Sequence, residues 1–208
     1  MKADCWNSSY LGTVHQAFPV LASDKSRVHA VLGSCPAILQ EAFLEAFYAV
    51  IQQPRESSNG EVGDVRIANR LLADWEMESS SRSAATDLIQ LQTLALMVIE
   101  ADSHGPVALK GLEGGPSKVS ILGRAVGLAY SMGLHHANLD PSPELDLDLD
   151  TDAKVALRAW WMLVVLDRWH AIGTATPTII SNDTVVIPAA LKSIVGEANY
   201  SLIRESAS

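Results

Sequence analysis

The chain has 208 residues and a formal net charge of −9, from 15 basic and 24 acidic residues. Apolar residues make up 48%, enough to bury the core of one domain at this length. The acidic balance and the lack of any Lys/Arg block argue against direct DNA binding, which needs a basic patch to meet phosphates.

The first residues, MKADCWNSSYLG, lack the apolar stretch of a signal peptide. Cys5 and Cys35 form no C-x-x-C and have no His pair beside them. Two cysteines supply neither a zinc cluster nor a disulfide framework, and they fit a reducing compartment. Apolar runs stay short of the roughly 18 residues of a membrane span. The chain reads as soluble and intracellular.

The first expected helix covers Ser34 to Gln53, with Ser34 as N-cap and Pro36 in the first turn. Ile38, Leu39, Ala42, Phe43, Ala46, Phe47 and Val50 recur at spacings of three and four and build one apolar face. Pro54 stops it, and RESSNGEVGD is a loop. Val65 to Glu78 forms a second helix, with Ile67, Leu71, Leu72 and Trp75 inward. After the polar link SSSRS, Ala84 to Ala101 is a third helix, so apolar from Leu88 to Ile99 that it belongs at the centre.

The Gly- and Pro-rich HGPVALKGLEGGP is a loop. Ser117 then caps a fourth helix, KVSILGRAVGLAYSM, ending at a left-handed Gly133 with Leu134 as its apolar cap residue. Ile121, Leu122, Ala125, Leu128, Ala129 and Met132 form its buried face; Gly123 and Gly127 would let another helix approach closely. The acidic loop PSPELDLDLDTD loads negative charge at the start of a fifth helix, Thr151 to Ile172, as the macrodipole favours. GTATPTIISNDTVVIP is extended or looped, and Ala189 to Glu205 is a last short helix. With no sustained strand alternation and no repeat, the fold class is all-α, an irregular multi-helix bundle.

The fifth helix contains RAWWMLVVLDRW, from Arg158 to Trp169. Asp167 and Arg168 are about 100° apart on a helical wheel and are not expected to pair. Arg158 points to the opposite side. A buried Asp167 would then take a partner from another helix, and Arg124 is the candidate. Such a pair fixes helix register more often than it binds a ligand.

His135 and His136, with His104 and Asp140 near in sequence, invite a metal reading. Adjacent histidines usually point apart, so a loop after a helix cap explains them better. The acidic run lacks the Gly at the sixth position and the Glu at the twelfth that a calcium loop needs. Counted from Asp146 these positions hold Thr151 and Leu157, and counted from Asp148 they hold Ala153 and Ala159, so a solvated acidic loop is expected. There is no G-x-S-x-G, no phosphate-binding loop, no H-E-x-x-H and no dinucleotide fingerprint. No catalytic, cofactor-binding or metal-binding residues are assigned.

LGRAVGLAYSMGLHH, LRAWWMLVVLDRW, GTATP and VVIP, in this order and spacing, resemble the fungal-specific transcription factor domain. That domain is the middle homology region of fungal zinc-cluster regulators. YLGTVHQAFPVL is similar to its opening. The resemblance runs from Tyr10 to Pro188, leaving residues 1–9 as a tail and 189–208 as a C-terminal helix. It looks most like the sugar-responsive branch, the glucose-transport and xylanolytic regulators.

The resemblance implies an all-helical, non-enzymatic domain of a nuclear regulator. It would respond to a small-molecule effector or contact the transcription machinery or a second copy. No cofactor is implied in this chain, and zinc belongs only to an upstream cysteine cluster that reads DNA. Leu157 stands where the family often has Arg before Arg-x-Trp-Trp, and GTATP lacks the Arg of the family's Gly-Arg-Pro. The family continues with further helices after Pro188, which implies an incomplete bundle with exposed apolar surface. Two other readings compete. One is a helical small-molecule sensor with its pocket between the helices of Arg124 and Asp167. The other is a helical enzyme, for which no nucleophile–base pair is in view.

Overall fold

In the computed structural model, residues 5–51, 63–78, 82–103, 116–136, 148, 150–182, 185–188 and 191–206 are described. The chain opens with a π-helical segment, Cys5–Val14, and a single turn α1, His15–Ala17. It continues through α2 (Lys25–Gly33), α3 (Ala37–Ile51), α4 (Val65–Met77), α5 (Ala84–Ser103), α6 (Lys118–Ser131), α7 (Asp152–Thr174), α8 (Leu191–Val195) and α9 (Glu197–Ser206). No strand occurs among the described residues. The all-α expectation holds.

Two helices form the centre. Every residue of α5 from Leu88 to Ile99 is buried, and so is every residue of α7 from Val155 to Arg168. An all-round apolar helix has to sit in the middle. Helix α5 is apolar and long enough to cross a membrane on those two measures, but 72% of its most apolar window is buried within the protein. Helix α3 packs on α4 and α5, α6 packs on α5 and α7, and α9 covers α7. The anticipated inward residues of α3 and α6 lie in or against this core. In α4, Leu72 and Trp75 are buried together with Ala68, while Leu71 packs from the side. The first nine residues, set apart by the sequence as a tail, include Trp6, which is buried and stacked 5.8 Å from Phe47.

Local chemistry sets the helix ends. Asp64 caps α4 by accepting from Arg66 N at 2.7 Å, and its own N–H donates to Glu45 Oε2 at 2.9 Å. Ser83 and Thr86 exchange bonds at the start of α5, a reciprocal cap. Ser117 caps α6 through Ser120 N, and Gly133 takes φ 72°, both as anticipated. Helix α7 ends on Ala175 at φ 54°, a left-handed position that glycine would occupy more easily.

Four expectations on local structure are corrected. Ser34 caps the C-terminus of α2 rather than the start of α3, where the Pro36 carbonyl accepts from Leu39 and Gln40. Helix α2 and the Cys5–Val14 segment were not anticipated at all. Nothing approaches within 4 Å of a side chain built at Gly123 or Gly127; the tight contact is at Gly63, where a Cβ would lie 2.3 Å from Ala49 N and Glu45 O. The last expected helix is two, because Gly196 at φ 80° separates α8 from α9. Among the described residues, the exposed large apolar side chains are Met77, Val119, Trp169, Ile172, Ile179 and Val186.

Candidate functional site

Buried polar side chains of α5 such as Gln92, which donates to Val20 O at 3.0 Å, add to the core, while the buried charged groups of α7 lie toward its two ends. At its N-terminal end stands Arg158, buried within the apolar helix. Its Nε donates to Pro19 O at 3.0 Å, and Nη2 donates to Leu21 O at 3.0 Å and to Asp150 Oδ1 at 2.9 Å. The other Asp150 oxygen accepts from Ser23 N at 2.8 Å, Ser23 Oγ at 2.5 Å and Asp24 N at 3.1 Å. One buried arginine and one carboxylate thus fasten the extended strap Pro19–Asp24 to α7.

The clasp has an outer layer. Asp148 pairs with Arg27 and accepts from Asp150 N at 3.0 Å, while Lys154 donates to the Asp148 carbonyl. Beneath the strap, Leu21 N donates to the buried Tyr10 hydroxyl at 3.0 Å. His15 Nδ1 lies 3.3 Å from that hydroxyl. Burial alone would raise the Asp150 carboxyl, but its bonds to Ser23 and Arg158 outweigh that and hold it below the usual range. Burial pushes the Tyr10 hydroxyl well above its ordinary value; burial and then Arg158 push His15 down.

The C-terminal clasp is built on Asp167, 1% exposed. Its Oδ1 accepts from Ile179 N at 2.9 Å and its Oδ2 from Ile180 N at 2.9 Å. Arg168 Nη1 donates to Asp167 Oδ2 at 3.0 Å and to Ile180 O at 2.9 Å. The segment after α7 is therefore pinned back onto its last turns by a carboxylate and a guanidinium together. Beyond it, buried Lys118 pairs with Asp102. Burial first, and then Lys118, lower the basicity of His170, whose Nδ1 has no partner.

The anticipated Arg124–Asp167 pair is not formed. Arg124 donates to Asn69 Oδ1 at 2.6 Å and Glu76 Oε1 at 3.0 Å, tying α6 to α4. Gln90 of α5 joins that same Glu76 oxygen at 2.6 Å. Asp167 and Arg168 do pair, against the helical-wheel expectation. A wheel orders Cβ directions, whereas a long guanidinium side chain bends round to meet a carboxylate aimed at the same loop. A sensor pocket between the helices of Arg124 and Asp167 would not be built on a pair between these two residues.

The other candidates fall as follows. His135 and His136 form one 3-10 turn after α6, but their rings do not point apart, with centroids 3.8 Å from each other. His135 also stands edge-on to Tyr130 at 4.6 Å. His104 and Asp140 lie outside the described residues. Among the described residues no three His, Cys, Asp or Glu side chains converge as metal ligands. The acidic run was expected to be solvated throughout, yet Asp150 is largely covered and fully engaged. The signal for Arg158 was its place inside the apolar stretch; its backbone partners, 137 to 139 residues away, left none.

As chemistry, this arrangement holds segments in place. Its charged groups are spent on backbone N–H and C=O groups of distant segments. Residues 37–199 match the fungal specific transcription factor domain. The chain is also 29% identical over 197 residues to an uncharacterized transcriptional regulatory protein of Schizosaccharomyces pombe. That similarity covers 95% of this chain and 23% of the relative, so the chain spans about a quarter of the relative's length. No solved structure matches. With most of its length under that match, the chain belongs to the fungal specific transcription factor domain family.

Proposed function

We propose that this chain is the regulatory domain of a fungal transcription regulator, acting in the nucleus and controlling transcription through protein contacts without reading DNA itself. The observation that carries the reading is the family match over residues 37–199. The net charge of −9 supports the part about DNA, since the phosphate backbone repels such a chain. The relative's name, a transcriptional regulatory protein, agrees with it. Zinc and DNA contact would belong to a separate cysteine cluster of a parent protein. The genes controlled are, in the finer reading, those of sugar transport or carbohydrate use. The role is regulatory, not catalytic.

The test has two arms. In the first, the chain is titrated into labelled duplex DNA at low salt, and no change in anisotropy is expected. In the second, it is tethered to an unrelated DNA-binding domain upstream of a reporter in a fungal host. A change in reporter output, compared on glucose and on xylose, is expected. DNA binding that weakens steeply with salt would overturn the first part, and an inert tethered domain would overturn the second.

A further inference from the structure

Arg168 is 5% exposed, and its Nη1 serves both Asp167 and Ile180. Its Nε and Nη2 are closed off from solvent and have no hydrogen-bond partner. These two nitrogens form the side-on edge of the guanidinium, two parallel donors that match a pair of oxygens on a carboxylate or phosphate. Leaving such donors buried and unpaired costs more than an ordinary hydrogen bond gains. Asp167 is not free to turn to them, since both its oxygens already accept from the loop.

A second orphan lies on the same stripe. Trp161 stands seven residues before Arg168, which puts it on the same face of α7, and its indole N–H is also buried without a partner. Trp161 and the free edge of Arg168 are thus buried donors without acceptors on one stripe of α7. The stripe ends at the surface, where Ile172 is 80% exposed, with Trp169 and Ile179 partly exposed. The Ile179–Ile180 segment is tied to this end of α7 by two N–H bonds to Asp167 and by one carbonyl that accepts from Arg168 Nη1.

We propose that the free edge of Arg168 is the docking point of a small carboxylate or oxoanion. The ligand enters when the Ile179–Ile180 segment lifts, and its two oxygens take the Nε–H and Nη2–H donors. Binding then favours the lifted segment over the closed one, so ligand occupancy and loop position are linked. This goes beyond the regulatory reading and does not depend on it, because it concerns binding and not transcription.

The test follows the side-chain N–H signals of Arg168 and Trp161 in proton–nitrogen spectra of the full chain. Inorganic phosphate and sodium acetate are titrated separately, against sodium chloride at equal ionic strength. A saturable shift of the Arg168 signals with at least one anion is expected. Phosphate alone identifies an oxoanion site and acetate alone a carboxylate site. Arg168→Lys keeps the charge but loses the fork, and should weaken binding by about tenfold or more. Arg124→Lys should titrate like wild type. The proposal is overturned if both anions act only as chloride does, or if Arg168→Lys binds equally well. It is also overturned if the anion-free protein already shows both donors bonded to an internal water. Should Arg168→Lys fail to fold, the wild-type titration decides by itself.

Discussion

Replacing Arg158 by Met keeps the length of the side chain and removes its charge and donors. The Arg158 and Asp150 side chains are only 5% and 11% exposed. Breaking a buried pair from one side costs about 3–5 kcal/mol, because a charge is left without its partner. The carbonyls of Pro19 and Leu21 also lose a donor, but they lie on a strap that can rehydrate by lifting, so the total should stay in that range. For a domain of this length the loss corresponds to a drop in Tm of about 6–20 °C.

Urea denaturation followed by circular dichroism measures the global loss. Trp6 reports the strap, because its indole N–H donates to Ser23 O at 3.3 Å. In Arg158→Met its emission should shift red before the helices melt. The pH dependence gives an independent check. Asp150 has a folded pKa below its unfolded value, so its contribution is full above the unfolded carboxylate range. It fades as pH falls through the lower folded value. The gap between wild type and variant should therefore narrow below about pH 4. A variant within about 1 kcal/mol of wild type at pH 7 would refute the clasp, since even an average point substitution costs that much.

Asp167→Ala should cost about 3–5 kcal/mol in urea denaturation, whereas Arg124→Ala, whose pair is more than a quarter exposed on both sides, should cost about 1 kcal/mol or less. Equal losses in the two would mean that the Asp167 clasp contributes no more than a surface pair. Ala175→Gly relieves a left-handed backbone and should raise stability by about 1 kcal/mol, read as a higher Tm; an unchanged or lower Tm would count against that conformation. Gly63→Ala drives a methyl into the backbone of α3 and should cost about 1–3 kcal/mol or more, with hydrogen exchange rising first at the start of α4; a neutral result would place that segment elsewhere.

Periodicity was enough to place α3, α4, α5, α6 and α7, because each shows a wide apolar face or is apolar all round. It failed for α2, where KSRVHAVLG carries only Val28 and Leu32 into the core and offers too few apolar positions to stand out. It failed again at Gly123 and Gly127, since a pair of glycines four apart permits a close approach without requiring one. Gly63, in a segment read as plain loop, is where the backbones meet, and only the path of the chain in space decides that. The partners of the buried charges were the least legible part. Asp167 was seen as a group needing partners, but they are backbone N–H groups of Ile179 and Ile180, which no side-chain pattern encodes.

Both clasps work on the same rigid element, and this gives α7 a meaning beyond core filling. Arg158 holds a strap that precedes it by more than 130 residues, and Asp167 with Arg168 holds the segment that follows. Between them every residue of α7 is buried, so the helix cannot shift without disturbing the packing of α5 and α6. The charged bonds at its ends are fewer, and at Asp150 a single gained proton removes the carboxylate charge that pairs with Arg158. A signal arriving at this domain would therefore release an end segment at far lower cost than it would move the central helix. The tightly packed middle is the frame, and on the proposed regulatory reading the strap Pro19–Asp24 and the Ile179–Ile180 segment are the parts that a ligand or partner would reposition.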